Sequence, residues 1–191
     1  MNKFEIVVTG VGGQGILRLA EIIGRAAVIE GKNVRIGEVH GMAQRQGSVI
    51  CTIRIGEKVH GPLIIEGSAD LLVGLELIES LRASVFLSHN GAAVLNKYTL
   101  IPRSYQGESL NEKAILTHFE KICKEFFVID AVNIAKQTGD IRTTNIVLLG
   151  KALGNKLLPL KEKSIKSSLE QTFSGKTLEI NLKALEAGLR S

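Results

Sequence analysis

Apolar positions recur along this chain in two alternating rhythms. Ile6-Val7-Val8 forms an unbroken apolar run, the pattern of a strand covered on both faces, and it predicts a strand over 4–9. Ile16, Leu19, Ala20, Ile23 and Ala27 then recur at helical spacing and predict a helix over 13–30, closed at Gly31. A second strand is predicted over 34–39, completing a βαβ unit whose strands should pair in parallel with a right-handed crossover. Residues 48–55 alternate, with Val49, Cys51, Ile53 and Ile55 on one face, and 59–65 read as an extended piece that would pair with them as a hairpin.

Further apolar runs predict strands over 69–73, 85–88, 94–101 and 126–129, with a turn at Asn90-Gly91. Helices are predicted over 76–82, from about 111 to 125 with Ser109 and Glu112 at capping-box spacing, and over 131–137, 143–153, 161–173 and 178–189. The alternation implies an α/β protein: a Rossmann-like three-layer fold whose mostly parallel sheet carries a hairpin excursion and is followed by C-terminal helices. A single domain is expected over 1–191, its helices from about 155 forming an appendage.

Composition narrows the function. Aromatic residues make up 4% with no Trp, which speaks against base stacking and hence against nucleic acid as a partner. Two cysteines, Cys51 and Cys123, stand far apart in apolar patterns and read as buried thiols in a reducing cytoplasm. They cannot build a zinc or iron–sulfur site unaided. No metal site is expected, and no apolar run approaches the ~20 residues of a membrane span. The formal charge is +5, and from Lys151 onward eight Lys or Arg face four Glu. That excess suits a solvated helix face or an acidic partner.

Two loops carry the candidate chemistry. Gly10-Val11-Gly12-Gly13-Gln14-Gly15 lies between a strand and a helix and satisfies G-x-G-x-x-G. Three readings are open: a dinucleotide site with Glu38 on the ribose, a cradle for another phosphate or acidic group at the helix start, or a tight turn alone. The second loop, 40–48, brings together His40, Gln44, Arg45 and Ser48 after a strand. Arg45 suits a carboxylate or phosphate and His40 a proton transfer, while a subunit contact fits the same composition. Asn145 is a local cap or reaches a neighbouring loop, and Asp130 caps the next helix or orients a ligand. No P-loop, nucleophile–base set or complete active site is present, so no catalytic residue is assigned.

Together the two motifs change the picture. Gly10-Val-Gly-Gly-Gln-Gly-Ile-Leu17 and His40-Gly-Met-Ala-Gln-Arg-Gln-Gly-Ser-Val49 resemble the gamma-type domain of the 2-oxoacid:ferredoxin oxidoreductases, and within them the beta subunit of the indolepyruvate enzymes. Gly61-Pro62-Leu63-Ile64, Ala69-Asp70-Leu71-Leu72, Gly74-Leu75-Glu76 and Thr143-Thr144-Asn145 with Gly150 extend the likeness to about Leu153. Gln46 stands where many relatives would carry glycine.

The resemblance implies a subunit that is inactive alone. The assembled enzyme would convert an aryl 2-oxoacid and coenzyme A to an acyl-CoA and CO2 while reducing ferredoxin. Thiamine diphosphate and iron–sulfur clusters would sit on a larger alpha subunit. Related gamma chains serve pyruvate and branched-chain substrates, and a free-standing NAD(P)- or flavin-binding module is the alternative of another class. The glycine loop (Gly10, Gly12, Gly13, Gln14, Gly15) would meet an anion such as a coenzyme A phosphate. His40, Gln44, Arg45, Ser48 and Asn145 would contact ligand or partner. In isolation the chain could form a homodimer that covers the docking surface.

Overall fold

The computed structural model describes residues 2–41, 47–100 and 111–191. Six strands form one sheet: β1 (Phe4–Val11), β2 (Val34–His40), β3 (Ser48–Ile55), β4 (Ala69–Gly74), β5 (Leu87–Asn96) and β6 (Glu125–Ile129). Their spatial order is β2-β3-β1-β4-β5-β6. The run β1, β4, β5, β6 is parallel, whereas β3 is antiparallel to both its neighbours. Seven helices are described: α1 (Ile16–Ile29), α2 (Leu77–Ala83), α3 (Glu112–Ile122), α4 (Ala131–Thr138), α5 (Thr144–Gly154), α6 (Glu162–Thr172) and α7 (Gly175–Arg190).

The apolar strands have both faces covered, as their unbroken runs require. Ile6, Val8, Leu71 and Val73 point into one core with α1, α4, α5, α6 and α7. Val7, Leu72 and Leu95 point into the other, with α2 and α3. This is the three-layer α/β architecture expected from sequence. Helix α1 leaves β1 toward one face and α2 leaves β4 toward the other, so the strand order reverses direction between β1 and β4. In open α/β sheets the crevice at the carboxyl ends of such strands is where ligands collect.

Three local expectations are corrected. β1 and β2 are not neighbours, because β3 inserts between them and pairs with both. The hairpin is therefore β2–β3, closed by the Gly41 amide donating to the Ser48 carbonyl at 2.8 Å. The segment 56–68 forms no strand beside β3. Gly56 turns at φ +147°, and Pro62, which lacks an amide for a ladder, packs over Gly37 instead. Asn90-Gly91 is no turn but lies inside β5, at an irregularity in its register with β4. A side chain at Gly91 would sit 2.7 Å from the Ala69 carbonyl, so glycine marks a close approach of two strands. At α3 the cap is Asn111, whose side chain accepts from the Ala114 amide, while Ser109 lies outside the described residues.

A buried ion network sits at the far end of the sheet from the glycine loop. Glu5, 1% exposed, faces Arg54 across β1 and β3 and accepts from its Nε at 2.7 Å, with Lys3 at 2.8 Å. Burial works to raise its pKa, and Lys3, Ser68 and Arg54 outweigh it to hold the carboxyl below its ordinary range. Among the described residues no helix is long and apolar enough to cross a membrane.

Candidate functional site

The glycine loop occupies the reversal point of the sheet, and its internal bonds decide which groups face outward. Gln14 folds back: its Oε1 accepts from the Val11 amide at 2.9 Å, and its Nε2 lies 3.4 Å from the Leu75 carbonyl. Gly10 is glycine because a Cβ there would sit 2.5 Å from that same Oε1. The Gly12 amide donates to the Gly47 carbonyl at 2.9 Å, joining the loop to the base of β3. Gly13 and Gly15 have φ of +98° and +79°, a region that favours glycine, and their amides have no partner among the described residues.

Helix α1 starts at Gly15 with no side-chain cap and no acidic residue in its first turn. Its first closed bond is Leu19 to the Gly15 carbonyl, which leaves the amides of Ile16, Leu17 and Arg18 open at the positive end of the helix dipole. Asn145 fixes this corner. It is 3% exposed, donates through Nδ2 to the Gly15 carbonyl at 2.9 Å, and accepts from the Ile146 amide at 2.9 Å. Asn145 is not the cap of α5, which is Thr143, but it does reach across to the neighbouring loop.

Two clefts flank Gly13. The larger, about 410 Å³, runs along the start of α1 between Gly12, Arg18, His40 and Val49. The smaller, about 230 Å³, lies over the carboxyl ends of β4 and β5 between Leu75, Asn96, Tyr98 and Arg142. Each carries one cation at its rim: Arg18, paired with Glu21 at 2.6 Å, and Arg142, paired with Asp140 at 2.6 Å. A Cβ on Gly13 would meet nothing within 4 Å, so the space above the loop is open to a ligand group.

Of the second loop, Gln44 and Arg45 lie outside the described residues. His40 is exposed on the edge strand, with Nε2 3.7 Å from Glu38. Ser48 points inward, and its hydroxyl donates to Glu79 Oε2 at 2.5 Å. Asp130 caps α4 by accepting from the Asn133 amide. The two cysteines are buried or half-buried thiols, each pushed up to about 11, chiefly by burial, which makes them poor nucleophiles.

Sequence reasoning passed over two carboxylates, Glu76 and Glu79, which are 1% and 5% exposed. Their signal is acidic residues inside an otherwise apolar stretch. Glu76 caps α2 by accepting from the Glu79 amide at 2.8 Å, and it also accepts from the Leu100 amide at 2.9 Å. Burial first, then the Glu79 charge, pushes its pKa up against those bonds.

The dinucleotide reading meets two obstacles. The second glycine of that motif must offer its backbone to a pyrophosphate, but the Gly12 amide is taken by Gly47. The strand bearing Glu38 stands two positions from β1, roughly 10 Å away at the usual strand spacing. The donors left open are the amides of Gly13, Gly15 and the start of α1.

The model of the pyruvate ferredoxin/flavodoxin oxidoreductase family matches residues 5–191. The chain belongs to this family. Among its relatives, the indolepyruvate oxidoreductase subunit IorB of Thermococcus kodakarensis is 39% identical, covering 100% of this chain and 96% of the relative. Two solved structures share the fold. The pyruvate oxidoreductase subunit PORC of Thermotoga maritima superposes with a TM-score of 0.72 at 21% identity, covering 100% of this chain and 97% of its own. The 2-oxoglutarate:ferredoxin oxidoreductase of Magnetococcus marinus, solved with 2-oxoglutarate, coenzyme A and succinyl-CoA bound, gives 0.75 at 20% identity. There the match covers 98% of this chain but 30% of that one, so the fold occurs both as a separate chain and inside a longer one.

An iron–sulfur cluster takes four thiolates, and the chain has two cysteines. Cys51 is on β3 and Cys123 follows α3, with no group of three or more ligating side chains among the described residues.

Proposed function

We propose that this chain is the smaller subunit of an indolepyruvate ferredoxin oxidoreductase, supplying a binding wall to a larger subunit that carries thiamine diphosphate and the iron–sulfur clusters. The observation that carries this reading is a site with binding geometry and, among the described residues, no catalytic set: open amides at Gly13, Gly15 and the start of α1 beside two clefts. Full-length identity to the Thermococcus relative favours an aryl 2-oxoacid over pyruvate. The net reaction converts the 2-oxoacid and coenzyme A to acyl-CoA and CO2, with two electrons passing to ferredoxin in the cytoplasm. The cofactors carry the bond-breaking chemistry, and the protein orients the reactants.

In this reading a phosphate of coenzyme A sits over Gly13, accepting from the free amides with Arg18 or Arg142 at the rim. His40 and Val49 line the same cleft, and His40, Gln44 and Arg45 would contact the ligand or the larger subunit. Isolated, the chain would pair with a second copy through the surface that the larger subunit covers.

Arg45 separates the ligand role of this loop from its partner role. In the assembled complex, Arg45→Ala should weaken coenzyme A binding in isothermal titration by about tenfold, the loss of one charge-assisted pair. Unchanged affinity for coenzyme A and the 2-oxoacid would remove Arg45 from the ligand. Unchanged assembly as well would remove it from the interface.

A further inference from the structure

We propose that Glu79 is a positioning residue for the glycine-loop site: by holding Ser48, it fixes the Gly47 carbonyl that takes the Gly12 amide and so decides which amides are left for the ligand. The proposal rests on the reading of that loop as the coenzyme A site. Its geometry is continuous through described residues. Glu79 Oε2 accepts the Ser48 hydroxyl at 2.5 Å, a charge-assisted bond. One residue earlier, the Gly47 carbonyl accepts from Gly12 at 2.9 Å, and the Ser48 carbonyl accepts from Gly41 at 2.8 Å. One residue later, Val49 lines the larger cleft.

The tether is built to resist movement. Glu79 lies in the first turn of α2, where its amide donates to the Glu76 carboxylate at 2.8 Å. Its second oxygen accepts from Arg82 at 2.7 Å, and Arg82 is 66% exposed, so the charge is balanced from the rim. Thr9, on the strand that feeds the glycine loop, places its hydroxyl 3.4 Å from both the Val49 and the Glu79 carbonyls. A carboxylate in so buried a place is costly unless bonded on both oxygens. An apolar residue would fill the space but could not hold the Ser48 hydroxyl.

With the tether in place, Gly12 is turned toward β3, and Gly13 and Gly15 are the free donors. Without it, the Gly47 carbonyl can withdraw, and the loop samples conformations in which the Gly13 amide no longer faces the cleft. The consequence is a change in binding rather than in the chemical step.

The test uses the assembled two-subunit enzyme. Ser48→Ala and Glu79→Gln should each raise the KM for coenzyme A about three- to tenfold while kcat and the KM for the 2-oxoacid stay within about twofold. The double variant should behave like Ser48→Ala, because Glu79→Gln only weakens, by removing its charge, the bond that Ser48→Ala removes outright. Ser48→Thr, which keeps the hydroxyl, should stay near wild type. Thermal midpoints of the free subunit check folding, and Ser48→Ala alone decides if Glu79→Gln does not fold. An unchanged KM for coenzyme A in Ser48→Ala, or additive effects in the double variant, overturns the tether. If Gly13→Asp also leaves that KM unchanged, the coenzyme A reading of the loop itself fails. If Gly13→Asp raises it while Ser48→Ala does not, only the tether fails.

Discussion

Replacing Gly13 by aspartate should raise the KM for coenzyme A at least about tenfold in the assembled enzyme, and replacing it by asparagine should raise it less than about threefold. The pair isolates charge. Gly13 sits at φ +98°, so either residue carries similar backbone strain, and both belong to the types that tolerate this region best. A Cβ there meets nothing within 4 Å, so neither variant clashes. The aspartate places a negative charge beside the open loop amides and the uncapped start of α1, where the proposed anion would sit. Two unit charges about 5 Å apart repel by roughly 3 kcal/mol at an effective dielectric near 20. Screening at an open cleft brings this to about 1.4 kcal/mol, or tenfold. Raising the salt concentration should narrow the gap between the variants. Equal KM values for the two would mean that the loop senses no charge and is a turn alone.

The largest loss of stability is expected at Gly188. Helices α5 and α7 meet backbone to backbone: a Cβ on Gly188 would lie 2.1 Å from the Val147 carbonyl oxygen, and one on Gly150 would lie 2.3 Å from that of Leu185. A carbonyl locked in a helix cannot turn aside as a flexible side chain would. Relief therefore requires the helices to separate, and Leu185, Ala184 and Ile146 lose their fit in the core they share. Overpacking typically costs about 1–3 kcal/mol. The helix-propensity gain of about 1 kcal/mol for removing a glycine opposes it. Gly188→Val, bulkier and β-branched, should cost about 2 kcal/mol net and lower the melting temperature by about 6 °C. Glu186→Ala, on the exposed side of the same helix, should change it little. A Gly188→Val protein that melts with the wild type would show that α5 and α7 are not in contact as described.

These two glycines illustrate what the sequence discloses. Gly13 announces itself, because glycines between an apolar strand and a helical pattern have few other uses. Gly188 is silent in a helix with no other unusual residue, since the carbonyl it accommodates is 41 positions away. The same contrast runs through the sheet. Ile6-Val7-Val8 and Leu71-Leu72-Val73 are legible as strands covered on both faces because every position is apolar. The place of β3 between β1 and β2 is not legible, because alternation in Val49, Cys51, Ile53 and Ile55 gives the face and not the neighbour. Two strands of like direction separated by a helix suggest adjacency, and only the closure from Gly41 to Ser48 shows that a third strand returns between them.

The candidate site divides the same way. The motif exposed the loop but not its inner bonds. Gln14 reads as a polar group available to a ligand, yet it is turned onto Val11. Ser48 reads as a contact residue, yet its hydroxyl serves Glu79. Polar side chains in glycine-rich loops satisfy the backbone first, and such pairings depend on packing that spacing does not encode.

A reconstitution measures the proposed division of labour between the two subunits directly. The purified chain, alone and then mixed with the larger subunit of its complex, is given indolepyruvate, coenzyme A and oxidised ferredoxin, and acyl-CoA and reduced ferredoxin are followed together. The chain alone should give no turnover, and both products should form in matched amounts once the larger subunit is added. Ferredoxin reduction by this chain without that subunit would contradict that division.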